Sequence, residues 1–170
     1  YISNTNKTYK VIAMLGYSSP TLDVDSEITK HDDINAHQLQ TQIQEFLTNL
    51  VGESTQTPPI YSAIKVKGKR LYKYARQNQD VEIPDRTIFV ESTELLEVNE
   101  NKVIFEITVS KGTYIRSIVQ QLGEYVNTHA IVETLTRTAI GSLNSNHKSL
   151  NTNVESLTYN STIMSLDGAE

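Results

Sequence analysis

Thr87-Ile-Phe-Val-Glu-Ser-Thr-Glu-Leu-Leu-Glu-Val98, Asn99-Glu-Asn101 and Lys102-Val-Ile-Phe-Glu-Ile-Thr-Val109 follow one another without a gap, and this stretch decides the fold class. Two strand-like runs separated by three turn-forming residues predict an antiparallel hairpin. A turn at Ser110-Lys111-Gly112 follows. Tyr114 to Val126 then sets Ile115, Ile118, Val119, Leu122 and Val126 on one helical face, and Ile131 to Leu135 resumes an apolar pattern ahead of Arg137 and Gly141. Upstream, Lys7 to Leu15 is apolar and β-branched enough for a strand, stopped by Gly16, Ser18, Ser19 and Pro20. Ile34 to Leu50 spaces Leu39, Ile43, Phe46, Leu47 and Leu50 as an amphipathic helix that ends near Gly52. The mixture predicts an α+β fold, a mixed or antiparallel sheet with flanking helices. Residues 1–141 form its folded part. The Asn-, Ser- and Thr-rich segment 142–170 reads as a loosely packed polar tail or a short helix.

With 170 residues, 38% of them hydrophobic and 21% charged, the chain can bury one core, which predicts a soluble globular protein. The net charge of -5 argues against a protein that coats nucleic acid indiscriminately, so any such contact must come from a local basic face. Asp23, Asp25, Glu27, Asp32 and Asp33 cluster early, far in sequence from the main basic segment. The absence of cysteine removes disulfides, thiolate metal sites and cysteine nucleophiles together. His31, His37, His129 and His147 are dispersed, and no metal site is predicted from them. No apolar run approaches the roughly 18 residues of a membrane span. The start at Tyr1, without methionine and just before a strand, suggests that sequence upstream is missing.

Between Lys65 and Arg76 lie Lys65, Lys67, Lys69, Arg70, Lys73 and Arg76, with Tyr72 and Tyr74 among them and no acid. Such a segment can pair cations with phosphates while tyrosines stack on unpaired bases. The plainer alternative is a solvated Lys-rich hairpin and short helix. Gln56-Thr-Pro-Pro59 leads into it in extended form, because a residue before proline is pushed out of the helical region.

Four segments in order resemble the TruB family of tRNA pseudouridine synthases: Lys7-Thr8-Tyr9; Pro58-Pro-Ile-Tyr-Ser-Ala-Ile-Lys-Val-Lys-Gly-Lys-Arg-Leu-Tyr72; Ser110-Lys-Gly-Thr-Tyr-Ile-Arg-Ser117; and Leu135-Thr-Arg-Thr-Ala-Ile-Gly141. The resemblance implies a pseudouridine-synthase-like fold, present in part. It also implies an enzyme that isomerises a T-loop uridine of tRNA by detaching the base, rotating it and rejoining it through carbon, with no cofactor. By the same resemblance, Tyr9 stacks on the target base and is placed for proton abstraction, Tyr114 lines the site and Arg116 pairs with the catalytic aspartate. Leu135 would pack against the flipped base, with Arg137 as a nearby cation. Lys65, Lys67, Lys69, Arg70 and Tyr72 would grip the RNA, and Tyr61 could either touch it or shape the backbone.

The nucleophilic aspartate of the family belongs in a Gly-x-Leu-Asp-Pro-x-Ala-x-Gly motif upstream of the Lys-x-Tyr strand, and the chain has no such motif. Leu22-Asp23 offers a superficial match, but Val24-Asp25-Ser26 follows it, and Asp23 is read as part of an acidic loop. The partner implied is the T-arm of tRNA, bound by an intracellular monomer without metal or membrane. A non-catalytic RNA-binding or RNA-folding module, or a guide-RNA-dependent scaffold subunit, are the alternatives.

Overall fold

A computed structural model of the chain describes residues 5–138 and the strand Val154–Leu157. The predicted hairpin is its backbone: β7 (Arg86–Asn99) and β8 (Lys102–Val109) pair antiparallel from Asn99↔Lys102 to Val90↔Val109, with irregularities between Val90 and Ser92 and between Leu95 and Glu97. On the other side of β8 lies β1 (Lys7–Leu15), and beyond β1 lies β9 (Ala130–Thr138). The strand Gly52–Gln56, labelled β4, closes the sheet against β7, and Val154–Leu157, labelled β10, adds to β9. The order is therefore β10-β9-β1-β8-β7-β4. Among the described residues every pairing between its strands is antiparallel, as one of the two sheet types expected, and a lone parallel bridge joins Asp23 to Val132 of β9.

One face of this sheet is the core. Val11, Ala13 and Leu15 of β1 and Val103, Phe105, Ile107 and Val109 of β8 point into it at a period of two. Two helices cover it. Helix α1 (Gln40–Leu50), preceded by a 3-10 turn over Ala36–Leu39, buries Ile43 and Leu47. The predicted helix thus starts later than Ile34, because Asn35 is extended and its side chain accepts the His37 amide, capping the 3-10 turn. The longest apolar stripe belongs to α3 (Ile115–Tyr125), which buries Ile115, Ile118, Val119 and Leu122. At roughly 1.5–3 kcal/mol for each such side chain removed from water, this stripe fixes the helix on the sheet.

Two short pairings stand outside the sheet. Between β1 and α1, β2 (Tyr17–Ser18) pairs with β3 (Thr29–Lys30) and brackets the acidic loop. The His31 ring stacks on His129 with centroids 3.8 Å apart, and Thr128 Oγ1 donates to Asp32 Oδ2 at 2.6 Å, which ties this loop to the start of β9. Between β4 and β7, β5 (Lys65–Val66) and β6 (Lys69–Arg70) form a hairpin that runs into α2 (Leu71–Arg76).

Within the segment 142–170, expected as a loosely packed polar tail or short helix, Val154–Leu157 is an extended strand paired with β9, and the rest lies outside the described residues. No helix among the described residues is long and apolar enough to cross a membrane.

Candidate catalytic and RNA-binding site

The register of β1 brings the first group of site residues together. Tyr9 sits opposite Ile107 on one side and Arg137 on the other, and Val11, the next residue on its face, sits opposite Leu135. Tyr9 and Leu135 are buried, at 5% and 2% exposure, while Arg137 is half-buried. Of the Leu135–Gly141 motif, residues 139–141 lie outside the described residues.

The second group is built by the turn between β8 and α3. Thr113 donates its amide to the Ser110 carbonyl at 3.2 Å, and the Ser110 hydroxyl lies 3.1 Å from that of Thr113 while accepting the Phe89 amide at 2.9 Å. This closed turn leaves Tyr114 extended at the helix N-cap (φ -98, ψ 110) and Arg116 in the first turn of α3. Both side chains are fully buried. The Arg116 guanidinium carbon lies 5.9 Å from the centre of the Tyr114 ring, and its Nη1 donates to the Thr21 carbonyl at 3.2 Å.

That last bond carries the acidic loop into the site. Asp23 is fully buried. Its Oδ1 accepts Thr21 Oγ1 at 2.6 Å and the Asp25 amide at 2.9 Å, while the Ser19 hydroxyl donates to its carbonyl at 2.5 Å. The Leu22 carbonyl accepts the Val132 amide at 3.0 Å, so the loop rests on β9. Partial burial, and next the neighbouring Asp23, push the Asp25 carboxyl above its ordinary value, with Arg116 pulling it back. The loop expected merely to be acidic thus buries Asp23 beside the arginine while Asp25 and Glu27 stay exposed. Sequence alone missed this role for Asp23; the hydroxyls at Ser19 and Thr21 flanking a short acidic step are the only local hint.

The third group is the basic segment. Its hairpin turns at Lys67 and Gly68, both at positive φ (54 and 78), as a two-residue connection with the right-handed strand twist requires. Lys65 and Lys67 are exposed, as are Lys73 and Arg76 on α2. Lys69 and Arg70 are half-buried and engaged within the segment. Lys69 Nζ hydrogen-bonds the side-chain carbonyls of Gln77 and Gln79 and lies 4.5 Å from the centre of the Tyr74 ring. Arg70 Nη1 donates to the Ala63 carbonyl at 2.5 Å, and Tyr74 donates its hydroxyl to the Val66 carbonyl at 2.8 Å. Tyr72 is covered on one face by Arg76, 4.7 Å away. Lys69 and Arg70 thus hold the hairpin in shape, and Lys65, Lys67, Lys73 and Arg76 present its charge to solvent.

The basic segment and the turn meet at a cavity of about 410 Å³, with Pro58, Ile64, Lys65, Arg70, Arg86 and Tyr114 in its wall. Lys65, Arg70 and Arg86 offer this cavity cations that suit a phosphate, the Asp85 carboxylate stands in the same wall, and Tyr114 is fully buried behind it. Among the described residues no cluster of three or more histidine, aspartate or glutamate side chains could hold a metal ion.

Residues 1–115 match the family described as TruB family pseudouridylate synthase (N terminal domain). The chain is 37% identical over 139 residues to tRNA pseudouridine synthase B of Alkaliphilus oremlandii, a match that covers 82% of this chain and 46% of the relative. It is 36% identical over 146 residues to that of Mycoplasmopsis pulmonis, covering 86% and 51%. The chain thus spans about half the length of these curated relatives. Among solved structures, a Cbf5-Nop10-Gar1 complex contains a similar fold, with a TM-score of 0.53 and 26% identity over 80% of this chain and 30% of that one.

Proposed function

The chain belongs to the TruB family of pseudouridylate synthases, and from that premise we propose that it forms part of the catalytic domain of an enzyme converting a T-loop uridine of tRNA to pseudouridine. The observation that carries this reading is the buried Tyr114–Arg116 turn, set between an acidic loop and a cavity that opens onto the basic hairpin. In the reaction the bond between ribose and uracil N1 breaks, a bond from ribose to uracil C5 forms, the C5 proton leaves and N1 takes up a proton. The base must first leave its stack, because the reactive bond is inaccessible within a folded loop.

Each group of residues has a part. Lys65 and Lys67, with Lys73 and Arg76 beside them, hold the backbone of the T-arm. Tyr9 and Leu135 take the flipped uracil, Tyr9 by its ring and Leu135 by its apolar surface. Arg116 holds a nucleophilic carboxylate ionised, a task suited to a guanidinium because its fork is planar and always charged. Residues 1–170 contain no Gly-x-Leu-Asp-Pro-x-Ala-x-Gly motif, and Asp23 is a neighbour of the site with its Oδ1 already bonded to Thr21 and Asp25. No cofactor is needed.

The test is nucleoside analysis of unmodified tRNA after incubation with the full-length polypeptide. Pseudouridine appearing in the T-loop supports the reading. Binding without any pseudouridine would assign the fold to a non-catalytic RNA-binding role.

A further inference from the structure

Gln56 is the last residue of β4, and only 2% of it is exposed. Both functional atoms of its side chain are committed to one distant residue: Nε2 donates to the Tyr114 carbonyl at 2.9 Å, and Oε1 accepts the Tyr114 amide at 2.8 Å. The carboxamide behaves as a peptide group would in a strand ladder. It serves a residue that lies at a helix end, where backbone groups lack the full set of helical partners. One residue on, the Thr57 carbonyl accepts the Ser117 hydroxyl at 3.3 Å. Pro58 and Pro59 then stiffen the path into the basic hairpin.

We propose that Gln56 is a positioning residue for uridine isomerisation: it fastens the RNA-gripping segment to the Tyr114–Arg116 turn, so that seizing the T-arm backbone also sets the arginine that holds the nucleophilic carboxylate. The inference rests on the proposed RNA-modifying reading and names a coupling which that reading does not require. Few side chains could substitute. Asparagine is one methylene too short to keep both bonds, and an ionised glutamate has two acceptors and no proton for the Tyr114 carbonyl. The two connected groups border the same cavity, Lys65 and Arg70 from the hairpin and Tyr114 from the turn.

The experiment is amide hydrogen exchange of the 170-residue chain, with and without a T-stem-loop RNA, in wild type and Gln56→Ala. In wild type, RNA is expected to slow exchange both across residues 57–76 and at Tyr114–Ser117. In Gln56→Ala the slowing across 57–76 should persist, while that at Tyr114–Ser117 should fall by at least about fivefold, the scale of an ordinary coupling between two sites. Equal slowing of both segments in wild type and variant would overturn the proposal and leave the RNA reading standing. No slowing anywhere in wild type would overturn the RNA reading and the proposal with it. If Gln56→Ala does not fold, Gln56→Asn replaces it: one methylene too short to keep both bonds, it should likewise keep the slowing across 57–76 and lose that at Tyr114–Ser117, and equal slowing of both segments would overturn the proposal.

Discussion

Arg116 reaches across ninety-five residues of sequence to donate a 3.2 Å hydrogen bond to the Thr21 carbonyl, and by doing so makes the acidic loop one wall of the candidate site. A fully buried guanidinium is costly unless its surroundings compensate the charge. Here that surrounding includes the buried Asp23, and Asp25, whose carboxyl feels the arginine directly.

Arg116→Ala should therefore damage folding as well as chemistry. Removing one partner from a buried charged cluster costs about 3–5 kcal/mol. A thermal melt should detect this as a marked loss of Tm, and an unchanged melt would mean the arginine is not compensating buried charge. Arg116→Lys separates the two roles. It keeps the charge but loses the planar fork, so in the full-length enzyme RNA affinity should stay within about threefold while turnover is lost.

The cations of the basic segment should divide into two kinds. Replacing exposed Lys65 and Lys67 together with alanine is expected to flatten the slope of log affinity against log salt by about 1.4, two phosphates at about 0.7 each for a single strand. Lys69→Gln, which removes a group bound to Gln77 and Gln79 over the Tyr74 ring, should leave that slope nearly unchanged and make residues 65–79 more open to protease. A slope that responds to Lys69 as strongly as to Lys67 would place Lys69 on the RNA.

Gly123 lies in α3 where the helix crosses the start of β9. A Cβ there would stand 2.6 Å from the Ala130 amide nitrogen and 2.7 Å from the His129 carbonyl carbon, both backbone atoms that cannot turn aside. Alanine gains about 1 kcal/mol in helix propensity over glycine, but overpacking against backbone costs about 1–3 kcal/mol or more. The clash should win. Gly123→Ala is expected to lower the urea midpoint, and a raised midpoint would mean α3 can lift from the sheet at little cost.

Glu106 on β8 faces Glu94 of β7 across the ladder, with Lys10 of β1 on its other side. Burial first, and then Glu94, raise the Glu106 carboxyl above its ordinary value, and Lys10 opposes them. The folded state thus holds this proton more tightly than the unfolded chain does. Its contribution is complete below the unfolded pKa and is lost as pH rises through the raised folded one. Glu106→Gln should accordingly be more stable than wild type near pH 7, by on the order of half a kcal/mol, with the gain disappearing below about pH 4. Urea midpoints at the two pH values check the sign.

The strands β1, β7 and β8 and the helix α3 were legible in the sequence because each carries its own periodicity and its own stop signal. β4 was not, since Gly-Glu-Ser-Thr-Gln has no apolar alternation and is a strand because it pairs with β7. The apolar run from Ile131 was visible, but not that it would be a strand between β1 and β10. Tyr9, Tyr114, Arg116 and Leu135 were nameable from motifs. What the sequence hid was pairing at a distance: Arg116 with Thr21, and Gln56 with Tyr114. Polar residues with ordinary local wording acquire a role only when the sheet and α3 bring remote segments together.

The central claim is best tested by tritium release from a T-stem-loop transcript labelled at uridine C5, measured with the full-length polypeptide and its Arg116→Lys variant at saturating RNA. The account expects one tritium released for each T-loop uridine converted by the wild type, and none above background from the variant although it binds the RNA. Tight binding by the wild type with no release would contradict it, and so would undiminished release by Arg116→Lys.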